Sequence, residues 1–210
     1  MDRLAHAVVL VEELGRAARE MAALGFAAQD GGRHPGRGTA NLVVPLGDQY
    51  IELVCVADHE QARSSPQGRP VVAALARRGP GLARWSVEAS DIETASARVG
   101  LPVERRQRLR PDGETVRWRA VGVDLSWDEP WRCAFMAWDD QSLHPARAPA
   151  PHPNGATGFT LIEVTVPSLD ATAAWLGGAA PGSVRLVVGP DTGPRRLVVS
   201  TPSGPLEPLG

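Results

Sequence analysis

The chain has no lysine: all 22 of its basic side chains are arginine. Schiff-base chemistry through a lysine amine is therefore excluded. Cysteine is nearly as scarce, with only Cys55 and Cys133. That is too few for a disulfide framework or a thiolate zinc site, and it suits a reducing cytoplasm. Net charge is almost absent, −2 from 22 basic and 24 acidic side chains, so no global field exists to hold nucleic acid or an anionic membrane. Long apolar runs are also missing. The run from Ala7 to Val11 is bracketed by His6 and Glu12 and has neither the length nor the flanks of a secretory or membrane-spanning segment. The sequence thus predicts a soluble cytoplasmic protein. A Walker phosphate loop, a Gly-x-Ser-x-Gly elbow and a His-Glu-x-x-His helix are all lacking.

What is present is 210 residues, 43% apolar, which suffices for a packed core. One pattern recurs: an alternating β-branched strand, an acidic or hydroxyl residue, then a short alanine-rich helix. Its copies run from His6 to Leu14, from Arg84 to Ile92 and from Leu161 to Leu169, at near-equal spacing. Three further strands follow the first two helices, giving β-α-β-β-β each time, while the third copy reads as β-α-β-β, short of one strand. The predicted fold is α+β. Paired modules at residues 1–60 and 80–142 form a curved open sheet with a cleft, and a partial third module occupies residues 156–204. The Ser64–Pro70 region and the Pro145–Pro153 stretch read as connections.

Two polar residues interrupt apolar strand faces. By period two, His6 shares a face with Val8 and Leu10, and Glu52 shares one with Tyr50 and Val54. A buried carboxylate needs a cation, a donor or water. His6 and Glu52 are suitable ligands for Zn, Ni, Mn or Fe as divalent ions. The alternative is a solvated rim histidine and a glutamate paired with an arginine.

The His6–Val11 start, the Tyr50–Leu53 segment and the repeated module resemble the vicinal-oxygen-chelate superfamily, which embraces glyoxalases, bleomycin-resistance proteins and dioxygenases. The stretch from Gly31 to Asn41, the Trp138-Asp-Asp ending and the His152-Pro-Asn-Gly-Ala segment resemble its glyoxalase-like branch. The resemblance implies four ligands in a cleft, one from the first and one from the last strand of each module. His6 and Glu52 match the first module's positions. The second module offers Arg84 and Cys133 instead, and a guanidinium cannot bind a metal. Arg84 is then available to pair with Glu52 or to hold a substrate carboxylate. A one-residue slip would present Trp85 to the pocket instead.

The resemblance further implies lyase or isomerase chemistry on a small oxygenated metabolite. In that reading Glu52 is a metal ligand or general base and His6 a ligand. His34, on a glycine-rich loop, and Asn41 orient the substrate, and Arg84 takes over the electrophile's role if no metal binds. The alternative is a non-catalytic protein of the bleomycin-resistance type that sequesters a planar compound in an aromatic cleft. His144 and His152 are a third ligand, a proton shuttle or merely solvated. Cys133 is a soft ligand or an inert core thiol. The tryptophans from Trp85 to Trp138 are mostly core, with some lining the cleft. The partner is a small molecule, and a homodimer is in keeping with the family.

Overall fold

Residues 2–208 are described by the structure, a computed structural model. β1 (Arg3–Leu10) leads into α1 (Leu14–Ala23), followed by β2 (Gln29–His34), β3 (Thr39–Leu46) and β4 (Gln49–Val56). After α2 (His59–Ser64) and α3 (Arg69–Arg78) the order recurs as β5 (Gly81–Glu88), α4 (Ile92–Val99), β6 (Glu104–Leu109), β7 (Thr115–Val121), the one-turn α5 (Leu125–Asp128) and β8 (Ala134–Trp138). The last run is β9 (Gly158–Val166), α6 (Leu169–Leu176), β10 (Val184–Val188), β11 (Gly193–Thr201) and β12 (Gly204–Leu206). Among the described residues no helix is long and apolar enough to cross a membrane.

Local chemistry sets the helix ends. The Asp91 carboxylate accepts from the backbone N–H groups of Glu93 and Thr94 at 3.0 and 3.1 Å, and α4 stops at Gly100 in the left-handed conformation, which a residue with a Cβ adopts only at a cost. The Ser64–Pro70 connection is flanked by two helices that the sequence reading passed over. Asp58 caps α2 through the Gln61 N–H at 2.9 Å, and Pro70 lies in the first turn of α3, where its missing N–H costs nothing.

The eight strands of the first two runs form a closed barrel in the order β1-β4-β3-β2-β6-β7-β8-β5. The open sheet expected from the sequence is corrected here. β1 pairs antiparallel with β5 along its length, and on the far side Arg33 of β2 pairs with Leu109 of β6. Strand twist brings those two edges together, and closure removes the exposed edges that an open sheet would leave. Alternation sorts each strand into an outward and an inward face. Ala7, Val9, Ile51, Leu53, Trp85 and Phe135 form an outer apolar layer with Met21 of α1 and Ile92 of α4. His6, Tyr50, Glu52, Arg84, Met136 and Trp138 face inward around a cavity.

The third run is not a shortened copy of the other two. Within the barrel, β1 is parallel to β4 and β5 to β8, so each first strand neighbours its run's last strand. In the separate sheet the order is β10-β9-β11-β12, with β9 parallel to β10 across α6, and the fourth strand is present as the short β12. This sheet covers the barrel's outer face: Ile162, Val164, Trp175 and Val199 share a core with Leu4, Trp85, Val87, Cys133 and Phe135.

Ile162 is fully buried in that layer. Ile162→Ala is expected to lower the free energy of unfolding by about 2–5 kcal/mol, the range for such truncations in a packed core. Urea denaturation of the full chain checks this, and a cost under about 0.5 kcal/mol would show that the sheet does not stabilise the barrel.

Candidate functional site

The barrel interior is a cavity of about 70 Å³. A single buried water occupies roughly 10–15 Å³ on the same footing, so the chamber suits a small metabolite. Exposed Gln67, ahead of α3, and half-buried Arg37 mark its mouth. The barrel's two halves line it differently. β1 to β4 supply His6, His34, Asn41 and Glu52, whereas β5 to β8 supply Arg84, Arg106, Arg108, Trp118 and Trp138.

Glu52 lies between two imidazoles. Its Oε2 is 3.7 Å from His6 Nε2, its Oε1 is 3.8 Å from His34 Nε2, and the Asn41 amide donates to Oε1 at 2.7 Å. His6 is stacked on Tyr50 with ring centroids 4.4 Å apart, and its Nε2 lies 3.2 Å from the Ser86 hydroxyl. His34 Nδ1 is 2.8 Å from the Thr39 hydroxyl. Burial, reinforced by nearby arginines, holds His34 down at about 3, and burial with the fields of Arg84 and His144 keeps His6 well below the usual histidine range. Both rings are therefore neutral at physiological pH, and neither offers Glu52 a positive charge.

The cations stand further off. Arg84 donates through Nη1 to the Val123 carbonyl at 3.4 Å and the Ser126 hydroxyl at 3.3 Å, with its guanidinium 4.9 Å from the Trp127 ring. Burial lowers its pKa to about 10 although Glu52 pulls it upward, so it stays protonated. Arg108 donates to the Gly31 carbonyl, and Arg106 is paired with Glu104 and Asp124 at 2.6 and 2.9 Å. Gly31 permits this arrangement, since a Cβ there would collide with the Asn41 amide and crowd Arg108.

The sequence-derived candidates divide accordingly. His6, His34, Asn41, Glu52 and Arg84 all reach the one cavity. Three details are corrected. His34 ends strand β2 rather than lying in a glycine-rich loop. Arg84 makes no ion pair with Glu52, because its Nη1 is held by the Val123–Ser126 turn. Trp85 points away, with its indole donating to the Trp131 carbonyl at 3.3 Å inside the outer core. The register fixes the phase: His6 pairs with Ser86, Ala7 with Trp85 and Val8 with Arg84, so Arg84 shares the inward face of His6 and Val8 while Trp85 shares the outward face of Ala7, and the bulged residue, Ala83, falls beyond them.

Cys133 is likewise outside the chamber, in the outer core, where burial pushes its thiol up. His144 and His152 are not solvated. His144 Nδ1 accepts from the Ala146 N–H at 3.1 Å within the proline-rich connection while its Nε2 lies 3.4 Å from the Glu88 carboxylate of β5, and His152 Nδ1 accepts from the Ala27 N–H at 2.9 Å with its Nε2 2.5 Å from the Pro45 carbonyl of β3, so both tie the connection to the barrel. The arginines at 37, 106 and 108 were not singled out from the sequence. In β6 the signal was the alternation of Arg106 and Arg108, buried, with exposed Arg105 and Gln107.

The register also identifies the residues at the four positions where the resemblance implied ligands. The β1–β5 pairing is symmetric about Ala7 and Trp85: His6 faces Ser86 and Val8 faces Arg84. Arg84 is thus the counterpart of His6. Since Val8 pairs with Glu52 and Ser86 with Ala134, the counterpart of Glu52 is Ala134. The four positions read His, Glu, Arg and Ala, so two can donate to a metal and two cannot. Among the described residues no group of three or more His, Cys, Asp or Glu side chains is arranged to hold an ion. The residues do not fit a four-ligand centre.

Paired β-α-β-β-β runs enclosing a polar cavity define a vicinal-oxygen-chelate protein. Within that superfamily the chain belongs to the glyoxalase-like domain family, whose defining sequence pattern matches residues 4–180. No curated protein matches it. Among solved structures, a hypothetical protein from Staphylococcus aureus is similar over 96% of this chain and 82% of its own, with 15% identity and a TM-score of 0.65. Methylmalonyl-CoA epimerase from Mycobacterium tuberculosis is similar over 65% of this chain and 86% of its own, with 18% identity and a TM-score of 0.44. The Staphylococcus aureus likeness concerns the fold alone, and the epimerase likeness is too slight to bear on activity.

The unfolded chain protonates His34 as pH falls through about 6.5, whereas the folded chain does so only near 3. The stabilisation from keeping this ring neutral is therefore complete above 6.5 and lost progressively between 6.5 and about 3. Urea midpoints measured from pH 7 to pH 4 should fall, and fall less steeply in His34→Gln. Equal slopes for the two proteins would contradict the assignment.

Proposed function

We propose that this protein is a glyoxalase-like lyase or isomerase acting on a small oxygenated acid, with Glu52 as general base and no metal in the reaction. The observation that supports this is the placing of Glu52: oriented by Asn41 at 2.7 Å, flanked by two neutral imidazoles, and open to a chamber whose opposite wall is cationic. Glu52 takes a proton from a carbon next to a carbonyl or carboxylate, and the electron pair moves onto that oxygen. The Arg84 guanidinium and an N–H of neutral His6 stabilise the resulting enolate. Returning the proton to a neighbouring atom completes an isomerisation, and expelling a group from the adjacent carbon completes an elimination. The sequestering alternative uses the same chamber, with Tyr50, Trp118 and Trp138 as stacking surfaces and no proton transfer.

Carbon-bound hydrogen exchange distinguishes the two. With a panel of 2-oxo and 2-hydroxy acids in deuterated water, proton NMR should show protein-dependent loss of an α-hydrogen signal for at least one acid. Glu52→Gln should slow that exchange by about 10²–10⁴-fold, the usual worth of a general base, and a chelator should leave it unchanged. Binding without exchange across the panel, undiminished in Glu52→Gln, would establish sequestration instead.

A further inference from the structure

Arg37, Arg84 and Arg108 all line the chamber, and among the described residues none of the three has a carboxylate within ion-pair distance. Arg106 differs, being neutralised by Glu104 and Asp124. Against the three unpaired guanidiniums the chamber sets one carboxylate, Glu52, whose contacts are uncharged. Counting Arg106 with Glu104 and Asp124 as well, four guanidiniums stand against three carboxylates, so the chamber carries an excess of positive charge, and holding such charge in a small, largely dry space is costly without a counter-charge.

The unused hydrogen-bonding atoms point the same way. In the second half's share of the chamber lining, the buried donors without a partner are Arg84 Nε, Arg106 Nε and the indole N–H groups of Trp118 and Trp138. They come from strands β5 to β8 and line the chamber. Arg106, Trp118 and Trp138 are moreover direct neighbours, Arg106 pairing with Trp118 and Trp118 with Trp138 across β6, β7 and β8. A row of unfilled donors beside unpaired cations is a receptor for oxyanions.

We infer that the ligand is a short dianionic acid, a dicarboxylate, whose carboxylates rest on the arginines and indoles that line the chamber while the carbon between them faces Glu52. The chamber suits a short molecule, one carboxylate answers the excess positive charge, and the second meets the unfilled donors of Arg106, Trp118 and Trp138. This rests on the reading of the chamber as the working site, and it names the substrate class for that site.

Isothermal titration of the full-length protein with malonate, succinate and 2-oxoglutarate, against acetate, propionate and succinamide, tests it. At least one dicarboxylate should bind ten-fold or more tightly than any monocarboxylate, and the diamide should not bind. Arg84→Gln should weaken that dicarboxylate at least ten-fold while shifting monocarboxylate binding less. Should Arg84→Gln prove unfolded by circular dichroism, Arg37→Gln at the chamber mouth carries the same expectation. Equal affinity for mono- and dicarboxylates, tight binding of the diamide, or undiminished dicarboxylate binding in a folded arginine variant would overturn the inference. Hydrogen exchange separates the two readings. A dicarboxylate that binds without exchanging refutes the base role of Glu52 alone, and exchange confined to monocarboxylates refutes the dianion alone.

Discussion

A carboxylate enclosed in a β-barrel must be stabilised by something, and the rest of this site follows from how Glu52 is. Asn41 gives it one direct hydrogen bond, two imidazoles approach without charge, and the guanidiniums act through the field rather than by contact. The same arginines help keep the histidines neutral. Charge is therefore arranged in two layers, an anionic group amid neutral ones on one side and cations on the other. A direct Arg84–Glu52 pair would have neutralised both groups. The Val123–Ser126 turn prevents it by holding the Arg84 Nη1 elsewhere.

Much of this was legible in the sequence because strands alternate. The inward face shared by His6, Val8 and Leu10, and that shared by Tyr50, Glu52 and Val54, follow from period two alone, and the repeat spacing put Arg84 opposite His6's role. Barrel closure was not legible. It hangs on the contact of β2 with β6, between residues as distant in sequence as Arg33 and Leu109, and no local pattern encodes it. The inward arginines of β6 were missed for a related reason. Alternating charge on a strand looks like a solvated surface until closure turns that face inward. Trp85 and Cys133 were misplaced because matching short segments leaves a one-residue uncertainty, and one residue exchanges the two faces of a strand. The β1–β5 ladder resolves that phase, bulge included.

The third run shows the limit of repeat detection. Its strand–helix start resembles the other two, yet its helix returns the chain to the strand beside β9, and its sheet order differs. Helix-forming and strand-forming residues recur there without the pairing that makes a barrel half. Its contribution is apolar: Ile162, Val164, Trp175 and Val199 cover the seam where the two halves meet. β5 carries Arg84 inward on one face and Trp85 and Val87 outward into that cover on the other, so the chamber's arginine wall is backed by a second sheet.

The central claim is that a guanidinium stands where a metal ligand would otherwise be, with an alanine at the fourth position, so that the ligand set of a four-ligand metal centre is incomplete. Metal content after saturation with zinc, nickel, manganese or iron and removal of free ion tests it most directly. The account predicts well under one equivalent of any of them, with no change in His6→Ala. One tightly held equivalent that His6→Ala or Glu52→Gln releases would contradict it.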